Sequence, residues 1–303
     1  MNAHLWENIT FNAARLKKMQ AGAAFLAEIL TGLLEKGLLE QSFWNTTHVN
    51  EIAKRLIDFQ LPTASRRISG FLDVELNDQN LIVIKNDLRW LYMLSKFLLN
   101  FDQLSVIAKL EVWQMAGATI KKELVVKESY TGLLKVYSVE FAKEASLKIR
   151  KTWVLTESHR WGCIIDYAYG NASFEKYYSR HQIIESEYSF YPALIPVRLL
   201  ISYQNPFINP HVLEPLGHPT IHDLKKFLLG LYSTSPFLQE YPVSCSQMII
   251  RKQEDRYSII DQVGDQIPLQ YIPGRTDELF ALLGGSPGNF NLIWKKDIFN
   301  PII

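Results

Sequence analysis

Three histidines lie within twelve residues of one another and are the clearest candidate metal ligands in the chain. They are His211, His218 and His222. His218 and His222 stand four residues apart, which is the spacing of zinc ligands on one face of a helix. However, position 219 is Pro where a helical H-E-x-x-H site needs Glu, and Thr220 with Asp223 forms a capping box that starts a helix after His218. The sequence therefore favours a loop and a helix cap over a metal site, and it predicts no cofactor.

No serine or cysteine stands in a pattern typical of a catalytic nucleophile. The G-x-S-x-G turn of α/β-hydrolases is absent. Cys163 lies inside the apolar run WGCII, and Cys245 lies near the start of a predicted strand; buried strand cysteines are usually inert. Glu157, His159 and Asp166 form an acid–histidine grouping, which a polar hairpin turn explains without chemistry. The sequence therefore predicts a protein that is not an enzyme.

A glycine-rich segment occurs near the end of the chain, at Gly284–Asn289. A phosphate-binding loop has its glycines after a strand and before a helix, followed by Lys and a hydroxyl residue. Here the predicted order is helix, glycines and strand, and no Lys comes directly after the glycines. The segment is therefore predicted to stop a helix and turn the chain.

Four basic residues occur in segments that also contain tryptophans, and they are candidates for binding nucleic acid. They are Arg66 and Arg67 in the helical part and Lys148 and Arg150 in the middle of the chain. Cations beside aromatic rings can hold phosphates while the rings stack on bases. Against this, 32 Lys and Arg face 31 Asp and Glu, so the net charge is only +1. Glu140 also offers Lys148 or Arg150 a cross-strand partner. A salt-paired surface is favoured, with nucleic-acid binding as the alternative.

The first 115 or so residues have the three–four spacing of apolar residues that amphipathic helices show. In the longest such segment, residues 11–36, the apolar stripe runs from Leu16 to Leu33 and ends before Gly37. Further helices are predicted from Thr46 or Thr47 to about Phe59, from Pro62 to Leu72, over 88–99 and over 104–114. This part is therefore predicted to be a bundle of about five helices.

The pattern changes near residue 130, where apolar and polar residues begin to alternate. Period two, with β-branched and aromatic residues, occurs over residues 137–141, 147–153 and 184–190 and predicts strands with one exposed face. No helical pattern separates these strands, so the middle part is predicted to be an antiparallel meander of four or five strands. The proline-rich segment 205–219 is predicted to be a linker.

The last part of the chain mixes the two patterns. A helix is predicted over about 221–232, followed by two or three strands, a helix around 276–283 and a strand that reaches Trp294. The expected fold class is therefore α+β in three modules. These are a helical bundle over residues 1–125, an antiparallel β-rich module over 126–210 and a small α+β module over 211–303. The sequence shows no internal repeat.

The composition is that of a soluble globular protein, with 48% hydrophobic residues over 303 positions. No stretch reaches the roughly eighteen uncharged apolar residues of a membrane span, and the first residues, MNAHLWENIT, lack the pattern of a signal peptide. Two cysteines are too few for a disulfide framework or a four-cysteine zinc site. We therefore expect a cytoplasmic protein without membrane contact.

Several stretches together resemble bacterial SWIM zinc-finger proteins. The helical stretches ARLKKMQAGAAFLAEILTGLLEKGL and FWNTTHVNEIAKRLIDFQLPTASRRI resemble the segment that comes after the zinc finger in that family. LKIRKTWVLTESHRWGCIIDYAY and SFYPALIPVRLLI are similar to its β segment, and DELFALLGGSPGNFNLIWKKDIFNPI is similar to its closing element. The resemblance covers nearly the whole chain in order and pattern.

The finger that defines this family is missing from the sequence. It consists of a C-x-C pair followed by C-x-H, and neither half is present. The resemblance therefore implies neither zinc binding nor DNA binding through the finger, and it implies no catalytic residue. It does imply a setting, because such proteins accompany MoxR-type AAA+ ATPases and von Willebrand A-domain proteins. The expected function is a non-catalytic adaptor or scaffold in such a system; the alternatives are a nucleic-acid binding module and, less favoured, an enzyme with an unrecognised site.

Overall fold

The chain divides into two units in its structure, which is a computed structural model. The structure describes residues 3–37, 44–74, 78–144, 146–206, 213–254, 256–295 and 298–302. The first unit comprises Met1–Lys121 with the short segment Pro192–Leu194, and the second comprises Lys122–Tyr191 with Ile195–Ile303. The predicted boundary between residues 210 and 211 lies outside the described residues, as does the candidate ligand His211.

The first unit is a helical bundle, as predicted. Its helices are α1 (Ala13–Lys36), α2 (Thr46–Asp58), α3 (Pro62–Gly70), α4 (Asp78–Leu99) and α5 (Val106–Met115). Helix α4 begins ten residues before the predicted start at 88. The polar run Lys85–Asp87 obscures the pattern there, but Ile84 and Leu88 stand four residues apart and are both buried. No helix among the described residues is both long and apolar enough to cross a membrane.

Helix α1 shows how the sequence determines this bundle. The Asn12 side chain caps its start by accepting a hydrogen bond from the backbone N–H of Arg15 at 2.9 Å. Gly37 ends it with φ of 99°, and its N–H donates to the carbonyl of Leu33. The buried stripe comprises Met19, Gly22, Ala23, Leu26, Leu30 and Leu33. This stripe packs along α4, and each fully buried leucine stabilises the bundle by about 2 kcal/mol.

The second unit contains three helices and ten strands in its described residues. The helices are α6 (Lys122–Val125), α7 (Ile221–Thr234) and α8 (Arg275–Leu283). The first five strands are β1 (Ser129–Glu144), β2 (Leu147–Thr156), β3 (Trp161–Tyr169), β4 (Ile183–Phe190) and β5 (Arg198–Pro206). The other five are β6 (Glu240–Gln253), β7 (Arg256–Ile260), β8 (Gln266–Leu269), β9 (Gly288–Lys295) and β10 (Ile298–Ile302).

Strands β1 to β5 close into a barrel in the order β1-β2-β3-β5-β4. The long strand β1 pairs antiparallel with both β2 and β4, and a register shift between Val136 and Ser138 marks a bulge that bends it. The barrel closes where β3 runs parallel to β5, with Cys163 opposite Arg198. The middle module is therefore β-rich and largely antiparallel, as predicted, but it is a barrel with one parallel pair and not a simple meander.

Strands β6 to β10 repeat this connectivity. They close in the order β6-β7-β8-β10-β9, and the long strand β6 pairs antiparallel with β7 and β9. A register shift again interrupts the long strand, between Cys245 and Met248. The third strand of this barrel, β8, runs parallel to the fifth, β10, through the pair Leu269 and Phe299. The second unit is thus built from two barrels of one topology, although no repeat is visible in the sequence.

The shared strand order is that of the oligonucleotide/oligosaccharide-binding (OB) barrel, a five-stranded Greek-key barrel. The two barrels differ between their third and fourth strands. The second barrel has helix α8 there, whereas the first has residues 170–182, which form no helix. The likeness is one of connectivity, and connectivity alone does not assign a function.

The two barrels pack against each other through one hydrophobic cluster. Trp153 and Cys163 of the first barrel lie in it together with Ile293 and Ile302 of the second. Alternate residues of the same strands, such as Val154, point into the interior of the first barrel. The outer face of β2 and β3 is therefore covered by the second barrel along much of its length.

Candidate functional site

The two described histidine candidates do not meet as metal ligands. The backbone N–H of His218 donates to the carbonyl of Ser244 at 2.8 Å, which joins the segment before α7 to strand β6. Its ring packs on Phe227 with a centroid distance of 4.8 Å, and burial lowers the pKa of the imidazole. His222 is exposed in the first turn of α7. Within the part of the chain that the structure describes, no group of three His, Cys, Asp or Glu residues is arranged to hold a metal ion.

Both predicted helix boundaries in this half of the chain are confirmed. Thr220 is the N-cap of α7, and its Oγ1 accepts a hydrogen bond from the backbone N–H of Asp223 at 3.0 Å. Gly284 ends α8 in the left-handed region with φ of 56°, and its N–H donates to the carbonyl of Phe280 at 3.0 Å. These segments therefore have structural roles that account for their residue types.

Both cysteines are buried and unpaired. Cys163 is 4% exposed and Cys245 is 1% exposed. Burial raises the pKa of the Cys163 thiol well above its ordinary value, and it raises the pKa of Cys245 to about 12. Because the thiolate is the reactive form, both groups are held in the unreactive state near neutral pH.

The acid–histidine grouping of the sequence is dispersed in the structure. His159 lies in the turn between β2 and β3 with φ of 57°, and its Nδ1 is 3.1 Å from the carbonyl oxygen of Glu214. Its backbone N–H donates to the carbonyl of Thr156, as in a tight hairpin turn. Asp166 instead forms an ion pair with Arg150 further along the barrel. The turn interpretation accounts for His159 without a chemical role.

Arg67 is held inside the helical bundle. Its guanidinium forms an ion pair with Asp87 and lies over the ring of Trp90 at 4.0 Å from the centroid. Burial lowers the pKa of Arg67, and the carboxylate of Asp87 opposes this effect. Arg66, the next residue, is exposed. A role for the pair in binding nucleic acid stays a prediction, and the observed contacts of Arg67 are those of a residue that ties α3 to α4.

Arg150 fastens the 170–182 segment over one end of the first barrel. It is 3% exposed, and its Nε and Nη2 donate to Asp166 Oδ2 at 3.1 and 2.6 Å. Its Nη1 donates to the carbonyl of Lys176 at 2.6 Å. The guanidinium also lies between Phe174 and Tyr178, at 4.6 and 4.8 Å from their ring centroids.

All three guanidinium nitrogens of Arg150 therefore have partners within the protein. The other candidate of this pair, Lys148, donates from Nζ to the carbonyl of Ala172 at 3.3 Å. These contacts give both side chains a structural role in holding the segment, and their binding of nucleic acid stays a prediction.

A charged cluster lies where the two barrels meet. Lys151 of β2 forms an ion pair with Glu240 of β6, and Lys295 Nζ lies 3.9 Å from Glu240 Oε2. Glu140 is the cross-strand neighbour of Lys151. Burial lowers the pKa of Lys151, but the carboxylate of Glu240 outweighs this effect, so that the pKa is raised. Burial, and then the charge of Glu240, raises the pKa of Glu140.

The raised pKa of Glu140 predicts how stability depends on pH. The folded protein holds the Glu140 proton more tightly than the unfolded chain, so this residue stabilises the fold fully below its ordinary pKa of 4.5 and loses that contribution as the pH rises through the folded-state value. We expect Glu140→Gln to raise the free energy of unfolding at pH 7 by on the order of 1 kcal/mol or less. The gain should vanish near pH 4 in urea-unfolding series, and a gain independent of pH would contradict this assignment.

An apolar groove of about 220 Å³ lies between α1 and α4 of the helical bundle. Leu30, Leu33 and Leu34 form the α1 side, and α4 presents Lys85, Leu88, Arg89 and Tyr92. On each helix these positions have the spacing of three and four residues that places side chains on one face. Leu34 is 63% exposed, whereas the neighbouring Leu33 is buried. The groove therefore presents apolar side chains with positive charge along its α4 side.

These groove residues were not among the candidates that the sequence suggested. Leu33 belongs to the buried stripe of α1, and the available signal was the additional Leu34, which widens that stripe toward solvent. Sequence alone does not indicate which helix lies opposite. Only the packing of α1 against α4 brings Lys85 and Arg89 beside these leucines.

Comparison with known families identifies the helical unit. Residues 14–115 match the family model of the SWIM-associated four-helix bundle domain. The matched range runs from the second residue of α1 to the last residue of α5. Neither the curated proteins nor the solved structures gave a match. The resemblance is thus confirmed for the helical part, and the chain contains a region similar to the SWIM-associated bundle in its first unit.

Proposed function

We propose that the chain is a non-catalytic adaptor whose helical unit binds a protein partner. The groove between α1 and α4 is the observation that supports this proposal. Its walls are leucines and a tyrosine, and it lies in the region that matches the SWIM-associated bundle. Open grooves of this kind between two helices accept the apolar face of a third helix. The two buried, unpaired cysteines suit a reducing compartment, so we place this function in the cytoplasm.

The groove favours an amphipathic helix that carries acidic residues. Its apolar side would insert anchors at positions i, i+3, i+4 and i+7 between Leu34 and Tyr92, which are both substantially exposed. Its flank would meet Lys85 and Arg89, and opposite charge speeds association and fixes the orientation of the helix. An acidic flank is therefore the feature that separates the proposed partner from other amphipathic helices.

The partner class that we propose is a MoxR-type AAA+ ATPase together with a von Willebrand A-domain protein. The proposal is supported by the resemblance to SWIM zinc-finger proteins, which implies such companions, and by the match of residues 14–115 to the SWIM-associated four-helix bundle domain. In this proposal the chain links its partners and performs no chemistry of its own.

Substitution of Leu34 tests the groove directly. We expect Leu34→Asp to weaken binding of a purified MoxR-type ATPase and A-domain protein from the same genome about tenfold or more, because it places a carboxylate among apolar walls and opposite acidic residues. The matched control is Leu229→Asp on α7, since Leu229 is 69% exposed and Leu34 is 63% exposed. Affinities are measured by surface plasmon resonance with the full chain.

Circular dichroism on both variants shows whether the helical fold is kept. If Leu34→Asp and Leu229→Asp bind these partners as tightly as the unaltered chain does, the groove is not the binding site. If the unaltered chain binds neither partner, the proposed partner class is wrong.

A further inference from the structure

A second groove lies at the end of the first barrel that the 170–182 segment covers. Its volume is about 540 Å³, within the range of roughly 300 to 1,000 Å³ typical of small-molecule sites. It is lined by Phe141 of β1, by Phe174, Lys176, Tyr177 and Arg180 of the covering segment, and by Arg275 at the start of α8. All of these residues belong to the second unit.

The groove has more positive than negative side chains. Arg180, Arg275 and Lys176 line it, and Glu175 is the acidic residue among the described lining residues. Within the described part of the chain, no carboxylate lies within ion-pair distance of Arg180 or Arg275. Burial lowers the pKa of Arg180, the charge of Glu278 opposes this effect, and the charge of Arg275 adds to it by a smaller amount. Because Arg180 and Arg275 line the same groove, an anion bound there would be attracted by both guanidinium groups.

Two aromatic rings in the groove are open to solvent. Phe141 is 70% exposed and Tyr177 is 81% exposed. Phe174 lies between Phe141, at 6.0 Å between ring centroids, and the guanidinium of Arg150. The contacts of Arg150 therefore hold Phe174 in place, while Phe141 and Tyr177 stay largely exposed. Exposed aromatic rings beside cations stack on nucleobases while the cations hold the phosphates.

We propose that this groove binds a nucleotide unit, with its phosphate between Arg180 and Arg275 and its base stacked on Phe141 or Tyr177. The unit is either a free nucleotide or one residue of a single strand. An acidic peptide would form ion pairs with the arginines but would have no base to stack on the two exposed rings, so the rings favour a nucleotide. The groove is distinct from the outer face of β2 and β3, which OB barrels use for ligands and which the second barrel covers here.

Fluorescence anisotropy with the full chain tests this inference. The probes are labelled oligo-dT and oligo-rU of about twelve nucleotides at about 50 mM salt, and AMP is titrated separately by calorimetry. We expect oligonucleotide affinity to fall as salt rises, with a logarithmic slope of about −1.4 for two phosphate contacts. Binding of AMP alone identifies a free nucleotide as the ligand, and binding of the oligonucleotides alone identifies a strand; either result supports the proposal. Absence of both overturns it.

Variants distinguish this site from general attraction to anions. The double variant Arg180→Gln/Arg275→Gln should lose about tenfold or more in affinity, and Phe141→Ala and Tyr177→Ala should each lose about fivefold or more where they contact the base. Arg256→Gln, an exposed arginine of β7, is the control and should bind normally. Equal losses for the double variant and the control overturn the proposal. So does full affinity in both aromatic variants, or equally tight binding of polyglutamate. The site lies outside the helical unit, so its failure leaves the adaptor proposal unaffected.

Discussion

Arg150→Met is expected to destabilise the second unit by about 3 kcal/mol. Met keeps the apolar stem of Arg as far as the position of Nε, and the guanidinium that lies between Phe174 and Tyr178 is lost. Without the guanidinium, Asp166 and the carbonyl of Lys176 lose all three hydrogen bonds that Arg150 donates to them. Since the side chain of Asp166 is 29% exposed, water compensates part of this loss. The expected destabilisation therefore lies at the lower end of the range of about 3–5 kcal/mol that is typical of broken buried ion pairs.

Urea unfolding followed by tryptophan fluorescence measures this loss, and limited proteolysis locates it. Cleavage within residues 170–182 should become faster, because Arg150 no longer fastens that segment. The control is Lys148→Met, since Lys148 makes a single hydrogen bond at 3.3 Å and its loss should cost about 0.5 kcal/mol or less. Adding Asp166→Asn to Arg150→Met should restore part of the stability, because no unpaired charge is then left. Equal stability of the two methionine variants would contradict this account.

Gly22 and Gly32 of helix α1 are expected to respond in opposite directions to replacement by alanine. Alanine favours a helix over glycine by about 1 kcal/mol at either position. At Gly22, however, the new Cβ would lie 2.5 Å from Phe59 Cβ and 2.8 Å from Leu61 Cδ1. Phe59 Cβ is bound to the backbone and cannot rotate away, so overpacking of about 3 kcal/mol outweighs the helix preference. At Gly32 no atom lies within 4 Å of the new Cβ.

We therefore expect Gly22→Ala to lower the free energy of unfolding of the helical unit by about 2 kcal/mol, and Gly32→Ala to raise it by about 1 kcal/mol. Thermal unfolding followed by circular dichroism at 222 nm compares the two variants, and each serves as the other's control because both lie in α1. If Gly22→Ala is as stabilising as Gly32→Ala, then α1 and Phe59 do not pack as closely as the structure shows.

Helix ends in this protein can be predicted from the sequence where a side chain caps the backbone of its own helix. The cap of α7 at Thr220 and the stop of α8 at Gly284 were both predicted, because capping depends on residues within one turn. For α2 the sequence predicts Thr46 or Thr47 as the N-cap, whereas the N-cap is Asn45, whose side chain accepts a hydrogen bond from the Thr47 N–H. Asparagine caps as well as threonine does, so local chemistry permitted either position.

Contacts between candidate residues of different segments could not be predicted from the sequence. The sequence indicates Arg150 only as a basic residue near a tryptophan, because its ion pair with Asp166 depends on the register of β2 against β3. Arg180 and Arg275 are 95 residues apart in the sequence, so no pattern along the chain could associate them. The apolar groove of the bundle likewise needs two helices that face each other. Binding surfaces made from separate segments were therefore beyond prediction.

The sequence by itself determined the order of helices and strands, the helical bundle and the β-rich character of the second unit, because apolar periodicity records which face of each element is buried. Only the tertiary structure decided that ten strands form two barrels of one connectivity. Closure depends on parallel pairs between β3 and β5 and between β8 and β10, which join strands distant in the chain. The alternation of apolar and polar residues along a strand does not depend on which strand it pairs with, so periodicity identifies a strand without identifying its partner. For the same reason, only the structure brought the cations and aromatic rings of the two barrels together in one groove.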